Sequence, residues 1–217
     1  MPISPRLLPE LRFGSFLVYS PRGISAVSRY SRDVCYGVKQ DSGSAIARRV
    51  SRLASLFAST PLAEVLGPDV TLIPAPRSTP LVSGALWPGK RIADELVAQG
   101  LGADVVTAVH RVSAVEKSAY GASGNRPLPA RHLETLDLQK TDLLFDPSRI
   151  TIIDDVVTKG SMLLATASLV AHRCPDAQVC AFALVRTLGR NPEVERIIDS
   201  CVGYIALTPS GDVDRVP

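Results

Sequence analysis

Aromatic side chains are scarce here: five Phe, five Tyr and a single Trp make up 5% of the chain. So thin a supply argues against a stacking platform for single-stranded nucleic acid. Cysteine is also sparse. Cys35, Cys174, Cys180 and Cys201 form no CxxC pair, and His110, His132 and His172 stand at no ligand spacing from them, so a zinc site is not indicated. The cysteines read most simply as reduced, small, buried side chains. Long apolar runs are missing, which excludes a transmembrane helix and a membrane partner. The start, "MPISPRLLPELRFG", lacks the basic head, apolar stretch and cleavage site of a signal peptide, which favours the cytoplasm. Neither GxxxxGK[ST] nor GxGxxG occurs, no Ser-His-Asp or Cys-His arrangement can be drawn, and nothing suggests an oxidoreductase.

The chain does have enough apolar material for one sizeable domain, with 46% hydrophobic residues in 217. Its net charge of +3 is mild. Basic residues cluster in Arg22–Lys39, Arg48–Arg52 and Arg111–Arg131, a balance that suits a phosphorylated small molecule. It weighs against nucleic acid as a partner without excluding it.

Strand-like and helix-like segments alternate. "FGSFLVY" (Phe13–Tyr19) reads as a strand, and Ser44–Ser59 as an amphipathic helix on Ile46, Val50, Leu53, Leu56 and Phe57. "DVTLIPAPRSTP" reads as a strand broken by prolines, "GKRIADELVAQGLG" as a helix closed by Gly100, and "ADVVTAVHR" as a strand. Between Ser113 and Leu133 the apolar rhythm is lost, which predicts a long functional loop or disorder. "RITII" as strand, Ser161–His172 as helix and "AQVCAFALVRT" as strand follow, then a strand at Cys201–Leu207 and a frayed terminus. The pattern predicts an α/β fold with a mostly parallel sheet covered by helices, whose ligand gathers at the carboxyl ends of the strands.

"RITIIDDVVTKGSM" (Arg149–Met162) carries the chemistry. Asp154 and Asp155 follow an apolar run, and a loop and a helix follow them. As a bare pair they could be a solvated strand end. The loop changes the balance, because Thr158, Gly160 and Ser161 bring two hydroxyls and an unhindered backbone to a helix N-terminus, where unpaired amides suit a phosphate. Lys159 adds a charge. Two carboxylates beside such a cradle suit vicinal hydroxyls or a divalent cation, so the segment points to a sugar phosphate.

This run resembles the PRPP-binding motif of type I phosphoribosyltransferases. The resemblance implies that Asp154 and Asp155 hold the ribose 2′ and 3′ hydroxyls, and that Val157, Thr158, Lys159, Gly160 and Ser161 cradle the 5′-phosphate. The family commonly has Thr or Ser where this chain has Lys159. "LIPAPRS" (Leu72–Ser78) is similar to the pyrophosphate loop, with Ala75, Pro76, Arg77 and Ser78 facing the pyrophosphate. The Ser113–Leu133 stretch takes the place of the flexible loop (about 111–133), with Lys117 as the candidate catalytic cation and Arg126 and Arg131 beside it. Mg²⁺ is implied as cofactor, with Asp154 and Asp155 near the metal and either able to shuttle a proton.

Within the superfamily the chain is most similar to ComF-type, or amidophosphoribosyltransferase-like, proteins, on "YGVKQDSGSAIARRVSRLA", "IPAPR" and "PGKRIADELV". ComF proteins usually carry a cysteine-rich zinc module, absent here, and their "RGFNQ"-like segment is represented only by "PGKRIAD". The implied architecture is a type I phosphoribosyltransferase fold: one domain over 1–217, its core about 40–188 and a small hood from 1–39 and 189–217. The implied activity transfers 5-phosphoribosyl from PRPP to a nucleobase or amine nitrogen and releases pyrophosphate. A catalytically inactive PRPP- or nucleotide-sensing accessory protein is the alternative, and a homodimer is open. Trp87 reads either as a stacking surface for an acceptor or as a packed side chain, and Lys39 as decoration of a helix face.

Overall fold

The computed structural model describes residues 5–40, 42, 44–82, 84–115, 127–138, 147–189 and 193–217. In chain order its elements are β1 (Glu10–Tyr19), α1 (Ala26–Lys39), α2 (Ala45–Leu56), β2 (Thr71–Pro74), α3 (Pro88–Ala98), β3 (Asp104–Val105), β4 (Val109–Arg111), α4 (Pro129–Leu133), β5 (Leu136–Leu138), β6 (Arg149–Val157), α5 (Ser161–Arg173), β7 (Gln178–Thr187), β8 (Ile198–Leu207) and β9 (Val213–Val216). Two short 3₁₀ turns, Phe57–Ser59 and Pro61–Glu64, lie between α2 and β2.

Seven strands form one sheet in the order β3-β2-β6-β7-β1-β8-β9. The first five run parallel, β8 lies antiparallel to β1, and β9 returns antiparallel to β8. The inner strands read as unbroken apolar runs because both faces are covered. Successive side chains feed opposite cores. Phe13, Ile73, Ile152, Ala181 and Ala183 pack with Leu163, Leu164, Ala167 and Val170 of α5. Phe16, Leu72, Ile153, Phe182 and Leu184 pack with Val34 and Val38 of α1, Ile46, Val50 and Leu53 of α2, and Ile92 and Leu96 of α3. The mostly parallel sheet flanked by helices is therefore as expected.

Several expectations need correcting. The termini do not make a separate hood among the described residues. Residues 10–19 are an inner strand, 26–39 a helix covering the sheet, and 198–216 two further strands. β1 is drawn in because it can bond on both edges, to β7 and to β8. "ADVVTAVHR" is two strands in two sheets: Leu72 pairs with Val105, while Val109 pairs with Leu138 in a separate two-stranded ribbon. That ribbon, β4–β5, brackets the expected flexible loop. Its middle, 116–126, with Lys117 and Arg126, lies outside the described residues. β6 does not stop at "RITII" but pairs with β7 as far as Val157 opposite Arg186, so Asp154 and Asp155 belong to the strand.

Candidate functional site

Four parallel strands end at one edge of the sheet, and their ends build a cleft of about 730 Å³. β1 contributes Tyr19 and the following Pro21, β2 the loop Ala75–Ser78, β6 the stretch Asp154–Gly160, and β7 Thr187. Ser161–Leu163 close one side from the first turn of α5, and Leu86–Gly89 close another from the start of α3. The structure thus brings together Asp154, Asp155, Val157, Thr158, Lys159, Gly160, Ser161, Ala75, Pro76, Arg77 and Ser78, every described residue expected at the site.

Asp154 and Asp155 are half-buried on the cleft wall. Each bends back on its own backbone: Asp155 N–H donates to Asp154 Oδ1 at 2.9 Å, and Val156 N–H to Asp155 Oδ1 at 2.8 Å. These bonds fix the carboxyl orientations. Burial holds the Asp154 carboxyl well above the usual carboxylate range, the neighbouring charge of Asp155 pushes it further, and Lys39 acts the other way.

The loop after β6 turns on Gly160, whose φ of +103° is left-handed and whose missing Cβ makes room for Ile205. That turn starts α5, thirteen residues long, with its free amides beside Thr158 and Ser161. The loop is strapped from outside the motif. Arg215 Nε donates to Thr158 O at 2.8 Å, and its Nη2 donates to Thr187 O at 2.5 Å. Lys159, expected to offer its charge to a phosphate, forms an ion pair with Asp212 in the turn between β8 and β9.

Across the cleft, Ala75 N–H donates to Ile153 O at 2.8 Å, which ties the second loop to β6. Trp87 lines the cleft, half-buried, while its Nε1 donates to Ala75 O at 2.9 Å and so supports that loop. Gly89 lets α3 approach, since a Cβ there would sit 3.1 Å from Ile153 O.

Comparison with family models, with curated proteins and with solved structures returns no match.

Three cleft residues escaped sequence reasoning. Lys39, at the last turn of α1, lines the cleft and is not mere surface decoration. Its position depends on where α1 docks, which no local pattern reports. Thr187 ends β7 and meets Thr158, with 3.4 Å between their hydroxyls. His132 is buried, and its Nδ1 has no partner among the described residues; burial and the nearby charge of Arg111 push its pKa down to about 4. Arg131, by contrast, pairs with Glu134 at 3.0 Å on the surface, away from the cleft lining.

Proposed function

We propose that the protein binds PRPP and transfers its 5-phosphoribosyl group to a nitrogen acceptor, a nucleobase or amine, with release of pyrophosphate. The observation that carries this reading is the convergence of two separate phosphate-type loops, Ala75–Ser78 and Thr158–Ser161, on one carboxylate pair in a single cleft. A ligand with anionic groups at both ends and hydroxyls between them matches that order.

In this reading the amides of Gly160 and Ser161 and the hydroxyls of Thr158 and Ser161 hold the 5′-phosphate at the α5 N-terminus. Asp154 and Asp155 accept hydrogen bonds from the ribose hydroxyls and fix C1 for attack. The acceptor nitrogen forms a bond to C1 as the C1–O bond to pyrophosphate breaks, and the electron pair leaves with that oxygen. Arg77 and the amides of its loop stabilise the charge that develops there. The nitrogen then loses its proton, for which the raised carboxyl of Asp154 is a suitable base when ionised.

Magnesium fits this site as a shared ion. Two adjacent carboxylates with mutual repulsion are a partial donor set, and no group of three or more His, Cys, Asp or Glu able to hold a metal occurs among the described residues. Asp154 and Asp155 would hold such an ion together with donor oxygens, and it would neutralise pyrophosphate charge.

One observation favours the alternative of a non-catalytic PRPP or nucleotide sensor: the Lys159 charge is taken up by Asp212. Incubation with PRPP, Mg²⁺ and a panel of bases, glutamine and ammonia separates the two. Pyrophosphate release that depends on one acceptor supports transfer. Thermal stabilisation by PRPP with no turnover on any acceptor supports the sensor.

A further inference from the structure

Arg111 is the last residue of β4 and is only 5% exposed. Among the described residues it has no carboxylate partner. Its guanidinium instead spans three segments that wall the cleft. Nε donates to the carbonyl of Arg77, Nη1 to the hydroxyl of Thr135, and Nη2 to Met162 Sδ at 3.2 Å. Thr135 is itself locked, donating to His132 O at 2.8 Å. Four residues on, Val115 N–H donates to Ser78 O at 2.9 Å, so the chain leaving β4 runs along the Ala75–Ser78 loop.

A buried cation without a counter-charge is costly unless its donors are satisfied and something negative comes near. Among the described residues each of its three nitrogens meets one neutral acceptor, and a point charge such as lysine cannot span the same three. The Arg77 carbonyl is turned toward Arg111, which sets the orientation of the Arg77–Ser78 peptide and its N–H. Met162 belongs to the first turn of α5, so the same group ties one phosphate-type loop to the other.

Resting on the reading of the cleft as a PRPP site, we propose that Arg111 is a positioning residue: it sets the Ala75–Ser78 loop for a diphosphate group, through the Arg77 carbonyl, and is not itself a ligand contact. Breaking the fork that holds the Arg77 carbonyl should therefore weaken diphosphate far more than a monophosphate bound at Thr158–Ser161.

The test is calorimetric titration of the intact protein with Mg²⁺–pyrophosphate and, separately, with ribose 5-phosphate. Arg111→Lys keeps the charge and loses the fork, while Thr135→Val removes one acceptor and keeps the arginine. The expected result is a loss of tenfold or more in pyrophosphate affinity for Arg111→Lys and a smaller loss for Thr135→Val. Ribose 5-phosphate affinity should stay within about twofold in both. Should Arg111→Lys misfold, Thr135→Val carries the test alone. Pyrophosphate affinity unchanged in a folded variant, or both ligands weakened equally, overturns the positioning role while leaving the PRPP reading in place. Wild-type protein that binds neither ligand overturns that reading and this inference with it.

Discussion

The ammonium of Lys159, in the loop after β6, donates to the carboxylate of Asp212, in the turn between β8 and β9. An exposed pair of this kind contributes about 0–1 kcal/mol to stability. Its larger effect is electrostatic, because it sets a carboxylate next to the loop proposed to hold a phosphate. Asp212→Asn should change the melting temperature by no more than a degree or two and tighten ribose 5-phosphate binding a few-fold. Lys159→Met should weaken the same binding. Titration at low salt reads both, and equal affinity in all three proteins would remove Lys159 from the phosphate site.

Gly160 bears two demands at once. Its φ of +103° is strained for any residue with a Cβ, and that Cβ would lie 2.5 Å from Ile205 Cδ1. Gly160→Ala should destabilise the protein by roughly 2–4 kcal/mol, the sum of backbone strain and overpacking. Adding Ile205→Val should return part of that loss, since it removes the nearest methyl. Denaturant melts of the two proteins measure it. Full stability in Gly160→Ala alone would contradict the loop geometry.

His132 predicts an acid limit to stability. Its pKa is pushed down to about 4, below the ordinary 6.5, so the unfolded chain takes up a proton before the folded one does. The neutral imidazole is fully accommodated above pH 6.5, and stability drains as pH falls from about 6.5 toward 4. The total approaches about 3 kcal/mol for a shift of this size. Urea melts across that range should show a shallower pH slope in His132→Gln than in wild type.

Much of this was legible because burial on two faces writes itself into sequence. β2, β6 and β7 read as apolar runs and α2, α3 and α5 as helices; the limits of β7, α3 and α5 came out close to those observed, while β2 is shorter and β6 longer than the sequence suggested. Local pattern failed where partners decided. α1 buries only Val34, Cys35 and Val38 among its apolar residues, and it depends on the Ser25 cap, whose side chain accepts from Ser28 N at 3.1 Å. β9, read as a frayed end, is ordered by pairing with β8 from Tyr204 to Leu207. The acidic pair looked like an exit from the sheet, yet β7 offers it a partner strand to the end. At the site, the two loops could be named from their own residues. Lys39, which lines the cleft, and Arg215 and Arg111, which brace its loops, could not, because they come from strands and helices far away in the chain.

In the proposed function Asp154 and Asp155 clamp the ribose of PRPP. This role is tested most directly by thermal melts of wild type, Asp154→Asn and Asp155→Asn at pH 8, with and without PRPP and Mg²⁺. Asp154 is a carboxyl whose folded pKa is raised, so its ionised form destabilises the folded protein at that pH. Asp154→Asn should therefore melt at or above the wild-type temperature without ligand. A clear rise in melting temperature is expected for wild type with PRPP, and none for either variant. Equal ligand-induced stabilisation in all three proteins would contradict it.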